Sequence, residues 1–234
     1  MFSPALMIIF GFFMLLSWIV GSQLKRRFKK YSQTQIGSNM SGAEVAQKML
    51  YDNGIYDVKV LQTGGQLSDH YNPANKTVNL SSEVYSGRNV AAAAIAAHEC
   101  GHAVQHAKAY APLKLRSALV PVQNVSAKIL NVIFIVMFAG AIILPSVISF
   151  DTALIIIIFC YSIFTAFAFI TLPVEINASQ RALVWLSNSG ITSGKSSVEA
   201  KDALKWAAYT YVVAALSALV TLIYYIMVFI GRRN

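Results

Sequence analysis

Apolar positions in this chain are bunched rather than spread. Four stretches are almost free of charged residues: 2–24, 129–150, 153–172 and 207–230. Each reaches the roughly 20 residues that a helix needs to cross a bilayer. Buried core helices of a soluble protein would need more polar chain to cover them than 234 residues leave. The first stretch reads as a retained anchor and not as a signal peptide. It has no basic residue before its apolar run, and Lys25-Arg26-Arg27-Phe28-Lys29-Lys30 follows it.

The chain between the first two stretches has a different rhythm. Ser41 and Glu44 stand at capping-box spacing, and Val45, Ala46, Met49 and Leu50 recur at helical period until Asn53-Gly54. Val58 and Val60 predict a short strand. A turn at 72–75 followed by apolar alternation predicts a hairpin with a strand at 77–80. An alanine-rich helix is expected over about 89–107, closed by Pro112. Residues 113–128 read as an amphipathic return helix to the membrane, interrupted at Pro121.

The expected architecture is therefore a mainly α, multi-pass membrane protein. Four transmembrane helices accompany a small α+β cytoplasmic domain, which the motif below makes zincin-like. Residues 1–24 form the anchor and 25–128 the cytoplasmic domain. Residues 129–172 form a transmembrane hairpin, 173–206 a helix and linker, and 207–234 the last span and C-terminus.

Composition sharpens this picture. Hydrophobic residues make up 56% and charged residues 12%, about half the charge of an average soluble domain. Of the 19 Lys and Arg, 13 lie in residues 25–128, four in 173–206 and two at Arg232-Arg233. Basic residues mark the cytoplasmic side of membrane ends. The N-terminus is then outside, the block after Lys25 cytoplasmic, and a turn near 150–152 outside. Arg232 and Arg233 fall outside as well, against the rule. The net charge of +9 expresses this topology and an affinity for the lipid bilayer, and no aromatic-basic motif suggests a nucleic-acid partner. Cys100 and Cys160 make no disulfide framework, as in a reducing compartment.

The alanine-rich helix carries His98, Glu99 and His102, an H-E-x-x-H motif. Shuffling four His and five Glu through the chain would give roughly 0.0015 such matches, so chance is a poor account of it. Residues four apart share a helical face. Two imidazoles there can bind one Zn²⁺, while Glu99, about 100° around the helix, can reach a zinc-bound water as general base. Cys100 points away from that face and reads as a packing residue.

A catalytic zinc takes three protein ligands. His106 shares the face but lies about 12 Å along the helix from His98, too far for one ion. It reads as a cleft residue near the metal or as an exposed one. His70 reads as a surface turn residue. Glu199 and Asp202 sit in a lysine-rich helix start and look solvated, and Asp151 belongs to the outer side. Glu175 follows Pro173, which suits a helix start. It shares a face with the small residues Ala178, Ser179 and Ala182, which could press against the alanine-rich helix and deliver a carboxylate to the metal. The alternative is a glutamate interacting with its own helix dipole.

H-E-x-x-H, a membrane hairpin and then "LPVEINAS" and "RAL" resemble the YugP-like neutral zinc metallopeptidases of bacterial membranes. The resemblance covers nearly the whole chain. More distantly, the chain is similar to HtpX-type and CAAX prenyl proteases. The resemblance implies a membrane gluzincin of the bacterial plasma membrane: His98, His102 and Glu175 hold one Zn²⁺, and Glu99 is the base. Those distant relatives carry Asp where this chain has Ser179, and the nearer family often has Asp where it has Asn177. Both departures bear on which group supports a zinc histidine. Arg181 is a candidate substrate or oxyanion contact, with a salt bridge as the alternative.

The functional expectation is a metalloendopeptidase for membrane or membrane-proximal proteins, with substrate pairing along the strand at 77–80. A metal-binding membrane scaffold or pseudoprotease is the alternative, and a transporter is a third class. The transporter fits poorly, because the spans carry no ionisable residue within them.

Overall fold

The computed structural model describes residues 3–142 and 149–232, with 139–142 by backbone alone. The elements are α1 (Pro4–Tyr31), α2 (Gly42–Asp52), β1 (Lys59–Thr63), β2 (His70–Asn72), β3 (Thr77–Ser81), α3 (Ser82–Ser86), α4 (Val90–Ala107), α5 (Ala111–Ile142), α6 (Phe150–Asn188) and α7 (Lys195–Gly231). The chain is mainly helical. Among the described residues, α1, the 111–138 part of α5, α6 and α7 are long and apolar enough to cross a membrane. Two compact units result. One comprises Met1–Trp18, Leu115–Leu172 and Tyr211–Asn234, and the other Ile19–Lys114 and Pro173–Thr210.

In the first unit, the expected break at Pro121 is absent: α5 runs through it as one helix. A mid-helix proline costs one backbone hydrogen bond. In an apolar setting, leaving the helix would expose several unpaired groups, so continuation costs less. α6 likewise runs unbroken through Pro173, which sits inside a helix and does not start one. The turn expected near 150–152 is instead the first turn of α6, where the Ser149 hydroxyl accepts from the Thr152 N–H at 3.2 Å. Residues 143–148 lie outside the described residues. Arg232, the residue at odds with the charge rule, donates from Nε to Asp151 at 3.0 Å and lies 4.5 Å from the Phe150 ring centroid. Its charge is thus locally compensated. Arg233 lies outside the described residues.

The second unit is organised around α4. α2 begins with the expected capping box: Ser41 Oγ accepts from Glu44 N–H, and Glu44 accepts from Ser41 N–H. Its apolar face, Val45, Ala46, Met49 and Leu50, is buried in the same core as Ala91, Ala94 and Ala97 of α4. Alanines line α4 on nearly every side, and a helix apolar all round belongs in the interior.

The sheet has strand order β1-β3-β2, with β1 parallel and β2 antiparallel to β3. This corrects the reading of 77–80 as an edge. β3 is the central strand, paired on both sides, and Val78 and Leu80 are fully buried. An alternating strand pattern reports one buried face but says nothing about how many neighbours pair in the sheet plane. β2 is an edge instead.

The tightest helix contact is at Gly101. A Cβ added there would lie 2.6 Å from the carbonyl oxygen of Ala178 on α6. Only a glycine lets the two backbones meet, with Ala178 and Ala182 fully buried on the facing side. Gly101→Ala should force the helices apart and destabilise the protein by about 1–3 kcal/mol. Denaturant unfolding of the detergent-solubilised chain measures this, and an unchanged midpoint would show that the contact yields freely.

Candidate metal centre

His98 and His102 lie one turn apart on α4, with ring centroids 4.8 Å apart. The Gly101–Ala178 approach brings α6 alongside, one turn beyond Glu175. His98 Nε2 lies 3.3 Å and His102 Nε2 3.4 Å from Glu175 Oε2, and the three ligand atoms fall within 4.8 Å of one another. Two donors each 2.0–2.1 Å from a tetrahedral ion stand roughly 3.3–3.4 Å apart. The two imidazole–carboxylate separations have that spacing, so the donor set fits a divalent ion such as zinc. Glu175 is 2% exposed. A helix-dipole role is not its setting, because it sits 25 residues into α6.

Burial by itself would raise the Glu175 pKa, but the two imidazoles outweigh it and hold the carboxyl well below its ordinary value. For His102, burial disfavours the charged ring. Hydrogen bonding to Glu175 and the charges of Glu99 and Glu175 reverse this and raise its pKa.

Each histidine is supported from behind by a neutral group. His102 Nδ1 lies 3.0 Å from Gln105 Oε1. Gln105 Nε2 donates to the Val174 carbonyl at 2.8 Å and to Asn177 Oδ1 at 3.0 Å. Both are acceptors, so the amide nitrogen must face them and the amide oxygen must face His102. His102 Nδ1 then carries the proton, leaving Nε2 as a ligand atom directed at Glu175. His98 Nδ1 lies 3.0 Å from the Ser179 hydroxyl, which can accept in the same way. The two residues where aspartate was absent are therefore both built into the network. Ser179 supports one histidine, and Asn177 supports the other through Gln105.

Glu99 is 8% exposed and does not join the three ligand atoms. Its Oε2 accepts the backbone N–H of Tyr71, in the middle of β2, at 3.0 Å. The Tyr71 hydroxyl bonds His106 Nδ1 at 2.7 Å. β2 is thus tied to α4 at two points, and His106 belongs to this tie and not to the metal cluster. Arg181 donates from Nε to Asn177 Oδ1 at 2.7 Å and lies 6.0 Å from the Tyr110 ring, with no salt bridge among the described residues. His70 is exposed and bonds the Ser68 carbonyl. Cys100 faces the other way, toward the Ala46 carbonyl, and burial pushes its thiol up.

Glu199 and Asp202 differ from expectation. Glu199 is 7% exposed, and Asp202 accepts from the Tyr31 hydroxyl and pairs with Arg27 at 3.4 Å. Their lysine-rich neighbours point outward while they face the core side of α7, a distinction that local composition does not carry.

Sequence reasoning missed Gln105 and Tyr71 as site residues. Gln105 had a signal: it is a polar residue three positions after His102 on an otherwise alanine-lined helix. Tyr71 had none, because its contact with Glu99 is a backbone bond across 28 residues.

Two outcomes follow. Gln105→Leu and Ser179→Ala should each weaken metal affinity by about 10- to 100-fold, read by chelator competition, since loss of such outer partners has that effect elsewhere. Metal loading should also be lost on acidification. His102 must be unprotonated at Nε2 to ligate, and its raised pKa lets the proton compete at higher pH than for an ordinary imidazole, so metal affinity should fall as the pH is lowered. A chelating dye titrated against pH reads the release, and loading that is flat down to carboxylate pKa values would oppose it.

A family profile described as "Putative neutral zinc metallopeptidase" matches residues 6–230. The chain is 38% identical over 219 residues to "Putative membrane protease YugP" of Bacillus subtilis (strain 168), covering 94% of each chain. No solved structure matches it. With the profile matching residues 6–230 and a relative 38% identical over 94% of the chain, this chain belongs to the neutral zinc metallopeptidase family that the profile describes.

Proposed function

We propose that the protein is a zinc-dependent membrane endopeptidase that hydrolyses peptide bonds of membrane or membrane-proximal proteins at the cytoplasmic surface. The observation that carries this is the pairing of two imidazoles, each 3.3–3.4 Å from one Glu175 oxygen, with a separate, buried carboxylate on the same helix as the imidazoles. A metal centre with a purely structural role has no use for Glu99. The asymmetry of Lys and Arg supports the cytoplasmic assignment.

His98, His102 and Glu175 would hold the ion. A bound Zn²⁺ supplies Lewis acidity, polarising a carbonyl and bringing the pKa of a water near neutrality. Glu99 takes the proton of the attacking water and passes it to the leaving nitrogen. The Tyr71 N–H holds one oxygen of Glu99 and so leaves the other to face the reactants. Gln105 and Ser179 keep the two rings in the ligating orientation. An extended substrate would add along the outer side of β2, which is an edge of the sheet. Pro73 has no N–H and limits that edge at its far end.

The test compares wild type with Glu99→Gln, both purified in detergent, for bound metal and for cleavage of an unfolded protein. Equal metal near one ion per chain, with cleavage lowered about 10²- to 10⁴-fold in the variant, is expected. Cleavage that survives the substitution removes Glu99 from the base role. Absence of metal from both removes the site.

A further inference from the structure

The basic residues that follow the first span do not share one fate. Arg27 pairs with Asp202 at 3.4 Å and lies 5.6 Å from the Trp206 ring centroid. Lys30 lies over the Tyr31 ring. Lys25 and Lys29, at i and i+4, have no ion-pair partner among the described residues. Instead both line a cleft in the second unit, together with Phe28 and Ser32 of α1, Leu67 and Gln66 of the β1–β2 loop, Glu83 of α3 and Asn89.

The height of this cleft is set by α1 itself. Its apolar run ends at Leu24. At 1.5 Å per residue, Lys25 lies about 1.5 Å and Lys29 about 7.5 Å beyond that point along the axis. The headgroup layer on each side of a hydrocarbon core is roughly 5–8 Å deep. The two ammonium groups are therefore carried at the level of the lipid phosphates. Leu67, 37% exposed and held at φ 55°, and Phe28 give the same cleft apolar surface.

We infer that this cleft seats the headgroup of an anionic phospholipid, with the phosphodiester on Lys25 and Lys29. Asn89 supplies a further donor. Its Oδ1 caps α4 by accepting from Ala92 N–H at 2.9 Å, which leaves its amide hydrogens for a phosphate oxygen. Glu83 is the one acidic group lining the cleft, and both its oxygens accept from Gln66 Nε2 at 3.2–3.3 Å. One carboxylate against two lysines leaves net positive charge, which favours a headgroup without its own ammonium. Asn89 is also the N-cap of the helix that carries His98, Glu99 and His102, so an occupant would touch the start of that helix. This proposal does not rest on peptidase activity.

The test is native mass spectrometry of the full chain in detergent with short-chain phosphatidylglycerol and phosphatidylcholine in competition. Wild type should keep one phosphatidylglycerol per chain with a preference of roughly tenfold or more, given the usual contribution of each lysine near an anionic surface. Lys25→Gln/Lys29→Gln should bring the preference near unity. Arg26→Gln/Lys30→Gln removes the same charge outside the cleft and should keep the preference. The ratio is internal to each variant, and an unchanged thermal unfolding midpoint in detergent reports that each one is folded. A preference that survives the first pair, or falls equally in both pairs, overturns the site in favour of diffuse attraction. Displacement of the lipid by an equal concentration of inorganic phosphate overturns the lipid assignment in favour of a free anion.

Discussion

The metal cluster depends on how closely two helix backbones approach. α4 and α6 meet where Gly101 faces the Ala178 carbonyl, without room for even a methyl group. Ala178 lies one helical turn beyond Glu175, and Gly101 immediately precedes His102. The distance between the two ring nitrogens and the carboxylate is therefore set by backbone contact and not by the reach of long, flexible side chains. Fixing a short glutamate by its helix lowers the conformational entropy that metal binding must overcome. The alanines of α4 extend the same logic to α2, so the helix is held on several sides.

Around this contact the polar groups form a directed chain of donors. The Val174 carbonyl and Asn177 fix the Gln105 amide, which fixes the tautomer of His102, which leaves Nε2 with its lone pair toward the ion. A wrongly turned amide would present N–H to N–H, a buried mismatch of about 1–3 kcal/mol. Tyr71 does the equivalent for Glu99 with a backbone donor, which cannot rotate away. The site is thus orientationally determined before any ion arrives, as expected for a preorganised centre.

Much of this was legible in the sequence, for identifiable reasons. The capping box at Ser41 and Glu44 and the helical face of α2 are local, and they appear as read. H-E-x-x-H could be placed on a helix because its neighbours are alanines. Glu175 could be singled out because the residues three, four and seven positions later are all small. Other features were not legible. Pro121 and Pro173 read as helix boundaries, because proline propensity reflects an aqueous chain that can leave the helix at little cost. β3 read as an edge because strand order depends on a β1 pairing that no local pattern encodes. Glu199 and Asp202 read as solvated because lysines flank them in sequence, whereas helical period turns the acids inward. Gln105 and Tyr71 act through long-range bonds, one of them from the main chain.

The neutral character of Ser179, Gln105 and Asn177 has a consequence for charge balance. Glu175 and Glu99 together contribute two negative charges to the buried centre, the imidazoles none when they ligate, and a divalent cation two positive ones. With a divalent ion held by His98, His102 and Glu175, the two carboxylates would match its charge. Aspartates behind the histidines would leave the filled centre with an excess negative charge in surroundings of low dielectric constant, where uncompensated charge is costly. Neutral partners also draw less electron density through the rings to the ion. An ion held by these residues would be more electron-poor and better suited to polarising a neutral amide carbonyl.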